Sequence, residues 1–315
     1  MNSFLDLDFD ERLAVFEKAM ELRKSGLGYK RITKAVFNEL NIQIPYSTLA
    51  YWCKNKIQLL GGENQFTPEP SPELSYVLGV CFGDAGLVLD SRKSDYKLVL
   101  ETIDNDFAEK FSQCGSKVLK KTRNYSINYS AKRQIYATKA RSKQLYYFVK
   151  SVKENFELVK PIAEKFPAEF IQGVADSEGC PAISAAKNFK VAVCVAYSAN
   201  YELLEYIQQL LLHEFSIVSA LRLFKLPGMA DSIINGRIIV RTKKLYCLSI
   251  TSKLNVENYF SKVGFSIARK QSKFSDAISI LSLGENEALN WWHLHYVKIG
   301  KQWKKIDENN IRQLS

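Results

Sequence analysis

The chain repeats itself, and no other feature constrains its fold as much. Asp84 closes the segment Tyr76-Val77-Leu78-Gly79-Val80-Cys81-Phe82-Gly83. Glu178 closes Phe170-Ile171-Gln172-Gly173-Val174-Ala175-Asp176-Ser177, so the two carboxylates, at 84 and 178, are 94 residues apart. Aligning them also aligns Gly79 with Gly173 and Gly83 with Ser177. Each segment is followed by β-rich sequence (Tyr96 to Ile103; Lys190 to Tyr197), then a helical stretch (Asp106 to Gln113; Tyr201 to His213). A further strand follows, ending in Ser-Lys, at Ser142-Lys143 and Ser252-Lys253. The repeating unit is thus a whole α/β module, larger than a solenoid repeat. Two copies in one chain predict a pseudo-two-fold monomer with no obligate protein partner.

A helix that is apolar nearly all round, as Val77 to Phe82 would be, has to be buried on most faces. Small residues four apart, Gly79/Gly83 and Gly173/Ser177, let two such helices approach backbone to backbone. Gly86 and Gly179 are the expected helix stops, with Pro181 beyond the second. Asp84 and Glu178 then fall at adjoining helix C-termini, where the helix dipole disfavours acid. Oxygen ligands converging there suit Mg²⁺ or another divalent cation that completes its shell with phosphate oxygens. The bland reading is two solvated helix-end acids.

The charge balance agrees with a polyanionic partner. Lys+Arg 44 against Asp+Glu 33 gives a net charge of +11. Between Lys117 and Lys153 basic residues and tyrosines interleave without one acidic residue: Lys117, Lys120, Lys121, Arg123, Lys132, Arg133, Lys139, Arg141 and Lys143 among them. The comparable stretch of the second repeat carries Arg222, Lys225, Arg237, Arg241 and Lys243 against a single acid, Asp231. Placed on strands and hairpin loops, these residues would line one sheet face per repeat, the electrostatic footprint of a nucleic-acid groove.

Gly61-Gly62 and Pro68, Pro70 and Pro72 punctuate the chain as a linker. Before it, helical runs around Leu13 to Leu22 and Tyr29 to Leu40 precede Ser47-Thr48-Leu49-Ala50-Tyr51-Trp52-Cys53-Lys54, with Ser47 as expected N-cap. This resembles a helix-turn-helix whose last helix offers Ser47, Thr48, Tyr51 and Lys54 to a major groove; a three-helix packing module is the alternative. The expected organisation is a helical module at 1–57, a linker at 58–73, repeats at 74–165 and 166–283, and a helical tail at 284–315. The six cysteines contain no CxxC pair and the histidines number three, which disfavours zinc and fits reduced thiols in a cytoplasmic protein. No apolar run approaches the roughly 18 residues of a membrane span, and the acidic start lacks a signal peptide's basic region.

Val77-Leu78-Gly79-Val80-Cys81-Phe82-Gly83-Asp84-Ala85 and Ile171-Gln172-Gly173-Val174-Ala175-Asp176-Ser177-Glu178-Gly179 resemble the LAGLIDADG motif of homing endonucleases, over roughly residues 72 to 281. Ala85 stands where the motif ends in Gly, and Phe82 where it has an earlier Asp. The resemblance implies an α+β fold: two pseudo-symmetric LAGLIDADG repeats forming a DNA-binding saddle, here with a small all-α N-terminal domain. It implies site-specific, Mg²⁺-dependent cutting of both DNA strands, with Asp84 and Glu178 holding the metal at the scissile phosphates. A basic residue near each site falls on Lys160 in the first repeat and on Arg269 or Lys270 in the second. A non-cleaving nucleic-acid binder, either an intron maturase acting on RNA or a transcription regulator, is the competing reading.

Overall fold

The computed structural model describes residues 2–4, 7, 9–54, 66–90, 95–234, 237–300 and 302–306, with backbone alone at 2, 3, 9, 10, 231–234 and 237. Gly61 and Gly62 of the linker, the end of the tail and the side chain of Arg237 therefore lie outside the described residues. No described helix is long and apolar enough to cross a membrane.

The N-terminal unit comprises β1 (Asn2–Ser3), α1 (Phe9–Lys24), α2 (Tyr29–Leu40), β2 (Ile42–Gln43) and α3 (Tyr46–Lys54). Ile32 and Val36, one turn apart, bury one face of α2, and Asn41 in the left-handed region ends it. The unit has its own core, in which Trp52 meets Phe4 and Phe16 edge-on. It is not all-α, since β1 and β2 pair in parallel. Ser47 is not the N-cap of α3: the Pro45 carbonyl already accepts from Thr48 and Leu49, so the helix starts at Tyr46, two residues earlier than a cap at Ser47 would set it.

Phe66 rejoins the described chain buried, its N–H donating to Gln144 Oε1 at 2.8 Å and its ring 5.2 Å from Phe148. The first repeat follows as α4 (Pro72–Phe82), β3 (Gly86–Asp90), β4 (Asp95–Thr102), α5 (Asn105–Val118), β5 (Ile127–Ser130), β6 (Ile135–Arg141) and α6 (Lys143–Glu154). After the single turn α7 (Lys160–Ala163), the second runs α8 (Pro167–Glu178), β7 (Cys180–Ala185), β8 (Phe189–Ser198), α9 (Tyr201–Phe215) and β9 (Ala220–Lys225). An extra hairpin of β10 (Ala230–Ile234) and β11 (Arg237–Val240) precedes β12 (Leu245–Ile250) and α10 (Lys253–Lys262). The sheets have matching antiparallel orders, β3-β4-β6-β5 and β7-β8-β12-β9. Their pseudo-symmetry is thus one of topology as well as of motif.

The axis of this arrangement is the α4–α8 pair. Ser71 accepts from the Leu74 N–H and Pro72 occupies the first turn, so α4 starts at Pro72, inside the stretch expected to be linker. From Leu74 to Cys81 every residue is buried. A Cβ at Gly79 would strike the Phe170 carbonyl and lie 3.0 Å from Val174 N; at Gly173 it would strike the Tyr76 carbonyl and lie 3.0 Å from Val80 N. The two backbones are therefore in contact at a point where only glycine fits. Both helices share one continuous core with the sheets.

α11 (Ala268–Ser279) and α12 (Glu285–His295) complete the chain with β13 (Tyr296–Ile299) and β14 (Gln302–Lys305). The tail is thus not wholly helical. Tyr296, Val297 and Ile299 favour strand, and Gly300 turns the hairpin at φ +60.

Candidate functional site

The α4 and α8 ends deliver the two carboxylates to one place. Gly83, not Gly86, caps α4; Gly86 is the first residue of β3 with open space where a Cβ would be. Asp84 therefore sits in the turn just past α4, fixed by the Ala85 N–H donating to Val80 O at 3.0 Å. Ala85 is buried and accommodated without a left-handed backbone. Glu178 is the last residue of α8, capped by Gly179. A Cβ on Gly83 would collide with Ser177 Cβ and stand 3.3 Å from Glu178 Cγ, so the two motif ends adjoin. Neither Asp84 nor Glu178 has a hydrogen-bond donor or ion pair among the described residues.

The electrostatics follow from that crowding. Burial raises the Asp84 carboxyl pKa; the Lys270 ammonium pulls it down and Asp104 pushes it up, with a net rise. Glu178 is raised by burial and then by Asp84, against Lys270 and Arg241. Two adjoining carboxylates, the charge of one raising the pKa of the other, fit a hard divalent cation, although no cluster of three or more such ligands occurs among the described residues.

The basic residues expected at this site fare differently. Lys270 is buried, and its ammonium donates to the carbonyls of Ala175, Asp176 and Gly179 at 3.2, 2.6 and 2.7 Å. It caps the C-terminus of α8 and faces both carboxylates. Arg269, beside it, grips Asp104 at 2.5 and 2.8 Å. Lys160 pairs with Glu157 at 2.6 Å and stands over the Tyr206 ring; the acids acting on it are Glu157, Glu164 and Glu202, not Asp84 or Glu178. Lys270 thus bears on both carboxylates, whereas Arg269 is paired with Asp104 and Lys160 with Glu157.

Three residues the sequence reading did not single out matter here. Asp104 both anchors Arg269 and bears on Asp84; Asp106 accepts from the Ala268 N–H at 2.5 Å. Both open α5, and an Asp-Asn-Asp run before a helix was the available signal. Asp176 is buried on α8 and accepts from Tyr76 Oη and the Ser266 N–H, each at 2.9 Å, and from Ser266 Oγ. An acid within an apolar motif marked it.

The basic stretches do not all line a sheet face. On the open face of the first sheet, Lys97 pairs in register with Arg141 and Val99 with Lys139, opposite the buried Leu98, Leu100 and Ala140. Asp95 lies within 2.8 Å of Lys97 and 3.4 Å of Arg141, and Arg133 grips Glu101 through both guanidinium ends, so acids temper that face. Lys117 departs from the expectation: it belongs to α5, on the helix layer, and binds Glu73. Lys120 and Arg123 are exposed in the loop after α5, Lys121 stands over Tyr125, and Lys132 is exposed in the β5–β6 turn. Lys143 opens α6 over the Tyr96 ring. In the second repeat Arg222 is exposed on β9, and Lys243 is exposed before β12. Lys225 donates to Ala230 O, and Arg241 acts on Glu178. On α3, Ser47, Tyr51 and Lys54 share the exposed face with Thr48 half-buried, opposite Leu49 and Trp52.

Residues 165–264 match the model of the LAGLIDADG-like domain. The uncharacterized protein MJ0398 of Methanocaldococcus jannaschii is 34% identical over 276 residues, 87% of this chain and 96% of its own. A second protein of that organism, MJ0314, is 29% identical over 138 residues, 43% of this chain and 52% of its own. Among solved structures, the homing endonuclease I-DmoI in complex with DNA and Mn has 18% identity and a TM-score of 0.40, over 61% of this chain and 96% of that one. I-GzeII in complex with its DNA target has 11% and 0.44, over 74% and 100%. Full-length DUF199/WhiA from Thermatoga maritima has 15% and 0.38, over 72% and 68%. The chain belongs to the same family as MJ0398 and carries a LAGLIDADG-like domain in its second half.

Proposed function

We propose that the chain is a monomeric, site-specific double-strand DNA endonuclease that depends on a divalent cation, Mg²⁺ foremost. The observation that carries this reading is the pairing of Asp84 and Glu178: two carboxylates, one exposed and one half-buried, without hydrogen-bond donors of their own among the described residues, at adjoining ends of helices whose glycines let the backbones meet. A protein that only binds a polyanion gains nothing by holding two acids where phosphates would pass.

Asp84 and Glu178 would hold the metal, which when bound supplies Lewis-acid stabilisation of charge at the scissile phosphates. Lys270 keeps the end of α8, and with it Glu178, in place. With three carbonyls occupying its ammonium, it acts as a positioning residue and by its field rather than by taking a proton. Arg269 does the same for α11 through Asp104. Lys97, Lys139 and Arg141 of one sheet and Arg222 of the other would meet backbone phosphates or base edges of duplex DNA. The exposed Ser47, Tyr51 and Lys54 of α3 would extend the contact as a helix-turn-helix module.

The test is Mg²⁺-dependent cleavage of a randomised plasmid library beside a gel-shift assay on the selected site. Asp84→Asn with Glu178→Gln should lose cleavage by at least about a hundredfold, the scale of removing charge stabilisation from a transition state, with binding retained. Cutting by the double variant at the wild-type rate refutes the site. Binding without any cleavage by the wild type, tighter on single-stranded RNA than on duplex, would establish the maturase-like binder instead. The pairing of Lys160 with Glu157 rather than with either motif acid is the observation on that side.

A further inference from the structure

The open face of the second sheet carries thiol chemistry that cleavage does not use. Cys194 on β8 and Cys247 on β12 meet there with their sulfurs 3.6 Å apart. They are diagonal neighbours: Ser249 is the register partner of Cys194 and Tyr197 that of Cys247, with a bulge between Leu248 and Ser249. Cys180, opposite Cys194 on β7, makes no such sulfur contact. Cys194 is buried and Cys247 half-buried, so one sulfur is reachable and the other stands directly behind it. The Cys194 thiol, the Tyr197 hydroxyl and the charge of Arg222 draw the Cys247 pKa down to about 7, against the effect of burial. Elsewhere burial pushes Cys81 up to about 12 and Cys114 up to about 11, which leaves those thiols inert.

We propose that Cys194 and Cys247 are a redox-active dithiol that a peroxide closes to a disulfide across β8 and β12. The Cys247 thiolate attacks one peroxide oxygen; the O–O bond breaks, and the departing hydroxide takes a proton to leave as water. Cys247 is then a sulfenic acid. The Cys194 sulfur attacks the Cys247 sulfur, the S–O bond breaks, and hydroxide leaves with the Cys194 proton as a second water. Two thiols have lost two electrons, and one peroxide has become two waters. The sulfurs must close from 3.6 Å to about 2.05 Å, and the bulge beside Ser249 is where the strand pair can give. The inference does not depend on the endonuclease reading.

The test treats the reduced full-length chain with hydrogen peroxide and reads it by thiol counting and peptide mass spectrometry. Two of the six thiols should disappear, with the mass falling by about 2 Da and a Cys194–Cys247 peptide appearing that dithiothreitol reverses. Cys247→Ser should abolish the loss, and Cys180→Ser should leave it intact. Cys194 and Cys247 remaining free, ending as sulfinic acids, or bridging to Cys180 instead would overturn the proposal. Because the decisive measurement is made on the unsubstituted chain, a variant that fails to fold does not spare it.

Discussion

The buried polar cluster beside the α4–α8 crossing allows a quantitative test. Asp176 is 1% exposed and takes three hydrogen bonds: from Tyr76 Oη, the Ser266 N–H and Ser266 Oγ. In Asp176→Ala, Tyr76 Oη still reaches Ser266 Oγ at 3.1 Å, so the donors left unpaired are one hydroxyl and the Ser266 N–H. Two buried unpaired donors at about 1–1.5 kcal/mol each give about 2–3 kcal/mol. The small void adds less than about 1 kcal/mol, and removing a desolvated charge returns a similar amount. The expected destabilisation is therefore about 2–3 kcal/mol, a fall of about 4–12 °C in Tm for a unit of this size. Tyr76→Phe alone should cost about 1 kcal/mol, and nearly all of it should vanish in the Asp176→Ala background, a coupling of about 1 kcal/mol. Denaturant unfolding of the four proteins of this cycle measures it. Additivity within about 0.3 kcal/mol would show that Tyr76 and Asp176 do not share a hydrogen bond, and the account of this cluster would fail.

Two further outcomes are expected. Burial works against the Asp276 carboxylate, but hydrogen bonds from Lys305 and Tyr296 outweigh it and hold its pKa below the usual range. A lowered carboxyl pKa stabilises the fold above the unfolded value near 4 and ceases to do so as pH falls through the folded one. Asp276→Asn should thus lose about 1 kcal/mol at pH 7, with the deficit shrinking below about pH 4; a deficit independent of pH contradicts the pairing. Deletion of residues 1–65, which spares the buried Phe66 and its bond to Gln144, should leave a folded, cleavage-competent chain whose footprint is shorter on one side and whose binding is weaker. An unchanged footprint would assign the N-terminal unit a packing or protein-binding role.

What was legible in the sequence was what the backbone repeats. Gly79, Gly173, Asp84 and Glu178 stand out at one period because helix contact and site geometry both depend on fixed chain positions. The burial of α4 was legible from its unbroken apolarity, and the strand and helix order from the spacing of the Ser-Lys termini. What was not legible depends on partners far along the chain. The grip of Arg269 on Asp104 spans 165 residues and that of Lys270 on Asp176 spans 94. Charge runs show the sign of a surface but not its layer: Lys117 begins the basic run in sequence yet lies on α5, three residues beyond Cys114, and not on the strands. The β10–β11 hairpin and the β13–β14 tail fell outside the repeat, where no second copy marked them.

The two halves differ most where chemistry, rather than backbone geometry, fills the space. At positions related by the repeat, Tyr76 and Asp176 on one side correspond to Phe170 and Phe82 on the other. Asp176 bonds Tyr76 and Ser266, whereas Phe82 packs edge-on against Phe156 and Phe170, with ring centroids 5.5 and 6.1 Å away. Aligning Phe156 with Phe265 also sets Pro161 opposite Lys270, so the ammonium that caps α8 has no counterpart behind α4. These are two complete solutions to one packing problem, one polar with its hydrogen bonds met and one apolar. Mixtures are worse than either, because an Asp at 82 would be buried among phenylalanines without donors, and a Phe at 176 would strand the Ser266 N–H. Gly79 and Gly173 tolerate no such choice, since each meets the opposite backbone itself. Symmetry is therefore kept where a Cβ would break the helix pair and lost where a linked set of side chains could change together. The same distinction accounts for a site in which both carboxylates recur while their basic neighbours do not.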